Sequence, residues 1–218
     1  MKNIDFSVYV ITASVPALHR NHEAVAAAAV CGGATILQFR DKCANDTEFA
    51  KTAEQVRNIA RLHGVPFIVN DRVEIAVSVD ADGVHIGHDD ADVRRVRKLL
   101  PPAMIVGASA TNYDEAIEMC EAGVDYLGVG PVFPTSSKKD ASPAIGLDEF
   151  GRICRAVDKP VVAVGGINRN NLALVIEAGA NGAAVIAAVA EAADMTAAVA
   201  ELKWLWKTFD FERHQRAP

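Results

Sequence analysis

Short runs of apolar and β-branched residues alternate with longer, alanine-rich stretches along almost the whole chain. The runs predict eight strands: Val8–Thr12, Thr35–Phe39, Phe67–Asn70, Gly83–Ile86, Ile105–Gly107, Tyr126–Val129, Val161–Val164 and Ala183–Ile186. The stretches between them predict helices over Glu23–Cys31, Thr47–His63, Val73–Val79, Ala91–Leu99, Tyr113–Glu121, Asp148–Val157, Asn168–Glu177 and Ala190–Lys207. Nearly continuous apolar strands are typical of a parallel sheet that is buried on both faces.

The passage from helix to strand repeats one short pattern. Glycine stands just past a helix end in Cys31-Gly32-Gly33-Ala34, in 121–124 and in 177–180, and more loosely in 80–83. Eight such units predict an α/β fold, a single (β/α)8 TIM-barrel domain over residues 1–218 with a frayed tail from about Asp210. A doubly wound open sheet is the alternative.

Composition narrows the class of function. The 218 residues leave room for one such domain, and half of them are hydrophobic. A net charge of −6 argues against a nucleic-acid or anionic-membrane surface, so an anionic substrate needs a local cluster of cations. The first residues lack a signal-peptide pattern, no apolar run reaches the roughly 18 residues of a membrane span, and the four cysteines form no Cys-x-x-Cys pair. We therefore expect a cytoplasmic enzyme with small-molecule substrates and buried or inert thiols; whether it forms a homo-oligomer stays open.

In a barrel of this type the reactive groups follow the carboxyl ends of the strands. After the second strand, alternation places Gln38, Arg40 and Lys42 on one face. Arginine binds phosphate oxygens in a fork and lysine adds a point charge, so this face predicts a diphosphate site.

Carboxylates follow the next two strands. Asp71 and Asp90 are candidate ligands for Mg²⁺, which prefers one or two carboxylates together with phosphate oxygens and water. Asp89 is ambiguous, since it can cap the next helix. His85 and His88 have no cysteine or third histidine nearby, which favours packing or substrate contact over zinc.

The later loops offer further phosphate donors. Ser109 follows the fifth strand, and the sixth is followed by hydroxyls and lysines in the segment 130–139. After the seventh strand Gly165-Gly166-Ile167-Asn168 predicts a glycine turn that opens a helix, whose amides and dipole favour phosphate. No nucleophile with a matching base is evident, which indicates a displacement in which a phosphate group leaves.

Taken together, these segments resemble the thiamine phosphate synthase family over almost the whole chain. The resemblance rests on five segments in this order: Gln38-x-Arg40-x-Lys42, Pro66–Arg72, Gly83–Asp90, Gly130–Lys139 and Val164–Ile167.

The family joins 4-amino-5-hydroxymethyl-2-methylpyrimidine diphosphate to a thiazole phosphate and releases diphosphate. The resemblance implies that Asp71 and Asp90 hold Mg²⁺. It implies contacts with the pyrimidine diphosphate from Gln38, Arg40, Lys42, Asn70, Ser109 and Lys138, of which Arg40, Lys42, Ser109 and Lys138 act on the departing charge. It implies contacts with the thiazole phosphate from Thr135, Ser137, Gly166, Ile186 and Ala187.

Three positions depart from the family pattern: His88 replaces glutamine, Ser137 replaces threonine and Ala187 replaces serine. The changes bear on substrate affinity more than on the type of reaction. The nearest alternative is the related thiazole tautomerase, which handles only the thiazole phosphate, and a further alternative is a non-catalytic protein that binds these phosphates.

Overall fold

The computed structural model describes residues 4–87, 92–137 and 142–216. Eight parallel strands form a closed barrel in chain order: β1 (Val8–Ile11), β2 (Ile36–Phe39), β3 (Phe67–Asn70), β4 (Gly83–Ile86), β5 (Ile105–Ala110), β6 (Tyr126–Val129), β7 (Val161–Val164) and β8 (Gly182–Val185). The last strand pairs with the first, with Tyr9 opposite Ala184. The predicted barrel is confirmed, and the open sheet is excluded because both edges are paired.

Helices cover the outside of the barrel: α1 (His22–Gly32), α2 (Asp46–Leu62), α3 (Val73–Ser78), α4 (Val93–Leu99), α5 (Tyr113–Glu121), α6 (Gly146–Ala156), α7 (Leu172–Glu177), α8 (Ala187–Ala190) and α9 (Met195–Arg216). Asparagine side chains cap the N-termini of three of these helices. Asn21, Asn45 and Asn112 each accept a hydrogen bond from a backbone amide of the first turn, at 2.9 to 3.0 Å. The predicted glycine joints also occur, with φ of 91° at Gly33, 91° at Gly123 and 109° at Gly179.

Two apolar layers hold the barrel together. The larger lies between the strands and the helices and includes Leu37, Phe39 and Val69. The smaller fills the barrel interior, where Tyr9, Ile36, Ile68 and Tyr126 are joined by Phe6, Ile11, Val162 and Ala184. Since side chains alternate along a strand, neighbouring residues pack in different layers, and nearly every strand position is buried.

The end of the chain differs from the prediction of a frayed tail. Helix α9 continues through Arg216, well past Lys207. Arg213 accounts for the extension: it donates to the carbonyls of Ile176 and Ala180, both at 3.0 Å, and pairs with Asp210 at 2.6 Å. The contacts with Ile176 and Ala180 are long-range, so local composition did not indicate them.

Among the residues that the structure describes, no helix is long and apolar enough to cross a membrane. None of the four cysteines forms a disulfide; Cys31 and Cys43 are exposed rather than buried. Burial raises the pKa of Cys120, and it raises the pKa of Cys154 to about 12. These two thiols are therefore protonated and unreactive at neutral pH.

Candidate active site

A cavity of about 640 Å³ opens at the carboxyl ends of the strands. This volume suits a small-molecule site. Most of the predicted site residues line it: Arg40, Lys42, Asn70, Asp71, Ser109, Thr135, Ser137, Gly166, Ile186 and Ala187. Gln38 is 2% exposed and lies below the cavity rather than in its wall. Lys138 and Asp90, like Asp89 and His88, lie outside the described residues.

One wall carries the charged groups that follow β2 and β3. Lys42 Nζ lies 2.5 Å from Asp71 Oδ2, and the Asp71 side chain is only 14% exposed. Asn70 donates to the same carboxylate oxygen, while Asp71 Oδ1 accepts a bond from the Gly87 amide at 3.2 Å. The Asp71 backbone is left-handed, with φ of 62°, and its amide donates to the His85 carbonyl at 2.8 Å. Asp71 is thus fixed between two loops, with Arg40 in the same wall.

The opposite wall is made of backbone and hydroxyl groups after β6, β7 and β8. The loop after β6 is bound to the loop after β7, since the amides of Val132 and Phe133 donate to the carbonyls of Val164 and Gly165, at 2.9 and 3.1 Å. Asn171 Nδ2 holds the Gly166 carbonyl at 2.9 Å. The described residues that line this wall offer polar groups and include no carboxylate, so they suit a second anionic group.

The structure corrects the predicted helix start after β7. Helix α7 begins at Leu172 and not at Asn168. The Asn168 and Asn171 side chains stabilise a turn instead: Asn168 Oδ1 accepts from the Asn170 amide at 2.9 Å, and Asn171 Oδ1 accepts from the Asn168 amide at 2.8 Å. No helix dipole therefore acts at Gly166. The helix that begins at the cavity is α8, whose N-cap residue Ile186 provides no side-chain cap. The amides of Val189 and Ala190 donate to the Ile186 carbonyl, at 3.1 and 2.9 Å, so the N-terminal amides that have no partner within the helix are those of Ala187 and Ala188.

The cavity floor holds a group that the sequence reasoning missed. His85, on β4, places Nε2 3.0 Å from Ser109 Oγ on β5 and Nδ1 3.0 Å from Tyr126 OH on β6. No nucleophile with a matching base was evident in the sequence, yet the adjacent strands β4 and β5 bring His85 and Ser109 within hydrogen-bond distance. Both ring nitrogens of His85 are engaged, which agrees with the preference for packing over zinc. Tyr126 occupies an inward-facing strand position, and a buried tyrosine usually has a hydroxyl partner.

Glu115 is a second residue that the sequence reasoning missed. It lines the cavity, but its carboxylate accepts bonds from the Thr111 amide at 2.7 Å and the Thr111 hydroxyl at 2.9 Å. The pattern Asn112-x-x-Glu115 at the start of α5 was the available signal. Glu115 stabilises the loop after β5.

Asp71 is the described carboxylate best suited to a hard cation. Its side chain is only 14% exposed and lies in the cavity wall, and Mg²⁺ binds to one or two such carboxylates together with substrate oxygens. No group of three or more histidine, cysteine or acidic side chains that could hold a metal occurs within 4–87, 92–137 and 142–216. Any Mg²⁺ would therefore need oxygen atoms from the substrate or from the undescribed segment after Gly87.

Fold and site together define a TIM-barrel protein of the enzyme type, with a cavity of charged and polar groups at the carboxyl end of its barrel. The family model described as thiamine monophosphate synthase matches residues 8–189. The chain belongs to this family.

Individual relatives support the same family assignment. The thiamine-phosphate synthase of Chloroflexus aurantiacus is 47% identical over 182 residues, 84% of each chain. That of Syntrophomonas wolfei is 41% identical over 207 residues, 95% of this chain and 99% of the relative. The solved structure of thiamine phosphate pyrophosphorylase from Pyrococcus furiosus superposes with a TM-score of 0.86 at 36% identity, covering 94% of this chain and 98% of that one.

Proposed function

We propose that this chain catalyses the reaction of its family: it joins the pyrimidine diphosphate to the thiazole phosphate, forming thiamine phosphate and releasing diphosphate. The observation that carries the proposal is the two-sided cavity. A wall with Arg40, Lys42 and Asp71 faces a wall of backbone and hydroxyl groups around Gly166 and Ala187. Two anionic substrates need two such regions, whereas the thiazole tautomerase needs only one.

The reaction of the family implies the following bond changes. The carbon–oxygen bond to the diphosphate breaks with its electron pair on the leaving oxygen, and the pyrimidine amino group supplies electron density to the carbon. The thiazole nitrogen then forms the new carbon–nitrogen bond. Arg40 and Lys42 stabilise the departing charge, and Lys138 is proposed to join them. Thr135, Ser137 and the amides that begin α8 hold the thiazole phosphate.

We further propose that Asp71 and Asp90 hold Mg²⁺ with the diphosphate. Bound there, the ion would neutralise charge on the leaving group. Gly87, the last described residue before 88–91, is bonded to Asp71, so the chain enters that segment beside the carboxylate. We also propose a cytoplasmic location, which rests on the sequence patterns given above and not on the geometry of the site.

The metal proposal is tested with Asp71→Ala and a matched control, Asp158→Ala. Asp158 is exposed and precedes β7, so it lies at the opposite end of the barrel. We expect Mg²⁺-dependent turnover that falls strongly in Asp71→Ala and is unchanged in Asp158→Ala, with both variants folded by circular dichroism. Full activity of the unmodified enzyme in excess chelator would contradict the proposal.

A further inference from the structure

Five side chains form a continuous hydrogen-bonded chain from the barrel interior to the cavity floor. Gln38 Nε2 lies 2.8 Å from Tyr9 OH, and Tyr9 OH lies 2.8 Å from Tyr126 OH. Tyr126 OH lies 3.0 Å from His85 Nδ1, and His85 Nε2 lies 3.0 Å from Ser109 Oγ. We call this set the Gln38–Ser109 chain. Only Ser109 among its members lines the cavity.

The inner end of the chain determines the direction of every bond in it. An amide NH₂ can only donate, so Gln38 Nε2 donates to Tyr9. If Tyr126 donated to Tyr9 instead, the proton of the buried Tyr9 hydroxyl would have no acceptor among the bonds that the structure gives for it. The arrangement in which both hydroxyl protons are bonded therefore has Tyr9 donating to Tyr126 and Tyr126 donating to His85 Nδ1. Burial raises the pKa of both tyrosines far above the ordinary value, and each therefore keeps its proton in the folded protein.

We propose that the Gln38–Ser109 chain holds His85 as the Nε2–H tautomer, which donates to Ser109 Oγ and leaves the serine proton directed into the cavity. Ser109 is then a hydrogen-bond donor toward an anion. His85 and Tyr126 are positioning residues that act through it. The identity of the anion, a diphosphate group, rests on the proposed function; the direction of the bonds does not.

The same distances would suit a serine nucleophile activated by histidine, if the bonds ran the opposite way. In that case Ser109 would donate to an unprotonated Nε2, and Nδ1 would donate to Tyr126. The two arrangements differ only in the position of protons, and they give Ser109 opposite chemistry. Because the inner end of the chain is an amide donor, the geometry favours the donor role.

The first test measures the ring ¹⁵N signals of His85 by NMR in the ligand-free protein. The signals are assigned through the bonded carbons to the backbone, which requires no variant. We expect a protonated Nε2 and an unprotonated Nδ1. A protonated Nδ1, or a ring protonated on both nitrogens, would overturn the proposal.

The second test separates positioning from structural support. The affinity for inorganic diphosphate with Mg²⁺ is measured by calorimetry for Ser109→Ala, Tyr126→Phe and the double variant. Tyr113→Phe is the matched control, since Tyr113 is partly buried and does not line the cavity. We expect Ser109→Ala to weaken binding about tenfold, the scale of one hydrogen bond to a charged group.

Tyr126→Phe should weaken binding in the parent protein and have no further effect once Ser109 is alanine. Additive losses would overturn the positioning role. Failure of the parent protein to bind diphosphate would contradict the proposed function, while the tautomer measurement would still decide the direction of the chain.

Discussion

Replacing Gly166 with alanine tests whether the wall formed after β6 and β7 binds substrate. Gly166 has φ of 67°, and a Cβ added there would lie 2.7 Å from Phe133 Cβ and 2.7 Å from the Pro134 carbonyl oxygen. Gly64 provides a matched control: its φ is 66°, and an added Cβ would meet nothing within 4 Å. Comparing Gly166→Ala with Gly64→Ala therefore separates the stability lost to the left-handed backbone from the stability lost to the close contacts of the added Cβ.

The expected losses of stability follow from these distances. A left-handed conformation costs an ordinary residue roughly 1–2 kcal/mol, so Gly64→Ala should lower the free energy of unfolding by about that amount. Gly166→Ala should lower the free energy of unfolding by the same amount and by a further ~1–3 kcal/mol from overpacking, because the contacted atoms include backbone. The total is about 2–5 kcal/mol.

The strain should also displace the loop that carries Thr135 and Ser137. Losing one hydrogen bond to a charged group costs about 1.5–3 kcal/mol, so the KM for the thiazole phosphate should rise at least about tenfold. Urea denaturation and steady-state kinetics measure the two effects, and Gly64→Ala should keep its KM. If Gly166→Ala matched Gly64→Ala in both stability and KM, the assignment of this wall to the thiazole phosphate would be refuted.

Three further predictions test other parts of the site. Ala187→Ser should lower the KM for the thiazole phosphate by up to about tenfold, since a hydroxyl is added at the start of α8; a shift in the pyrimidine diphosphate KM instead would show that the two phosphate regions are misplaced. Lys138→Ala should lower kcat by ~10²–10³, and an unchanged kcat would make this lysine a surface residue. Burial lowers the pKa of His22 despite Asp41 at 3.5 Å. Neutral His22 therefore contributes to the free energy of unfolding above its unfolded pKa of about 6.5, and this contribution is lost as the pH falls. In urea denaturation His22→Gln should lose less stability on acidification than the parent protein, and the exposed control His63→Gln should lose as much; equal losses in all three would contradict the argument.

The strands could be predicted from the sequence because nearly every position in them is buried. Four predicted strands, β3, β4, β6 and β7, have the bounds seen in the structure. The last strand is shifted by one residue, to Gly182–Val185, and β5 extends to Ala110. An apolar run predicts well that a strand is present, and it predicts less well at which residues the strand begins and ends.

What the sequence did not indicate depends on particular side-chain hydrogen bonds, both local and between distant residues. The start of α7 is determined by the side chains of Asn168 and Asn171, which stabilise a turn in place of a helix. The Gln38–Ser109 chain draws its members from five strands, β1, β2, β4, β5 and β6, and its tyrosines resemble ordinary core aromatics in the sequence. Alternation did predict that Gln38, Arg40 and Lys42 share a face, but not that Gln38 lies beneath the cavity.

The most direct test of the proposed reaction is one product assay. The purified protein is mixed with the pyrimidine diphosphate, the thiazole phosphate and Mg²⁺, and products are identified by mass spectrometry with separate quantification of diphosphate. We expect thiamine phosphate and diphosphate in equal amounts, formed only when both substrates are present. Saturable binding of both substrates without product, or conversion of the thiazole phosphate alone, would contradict it.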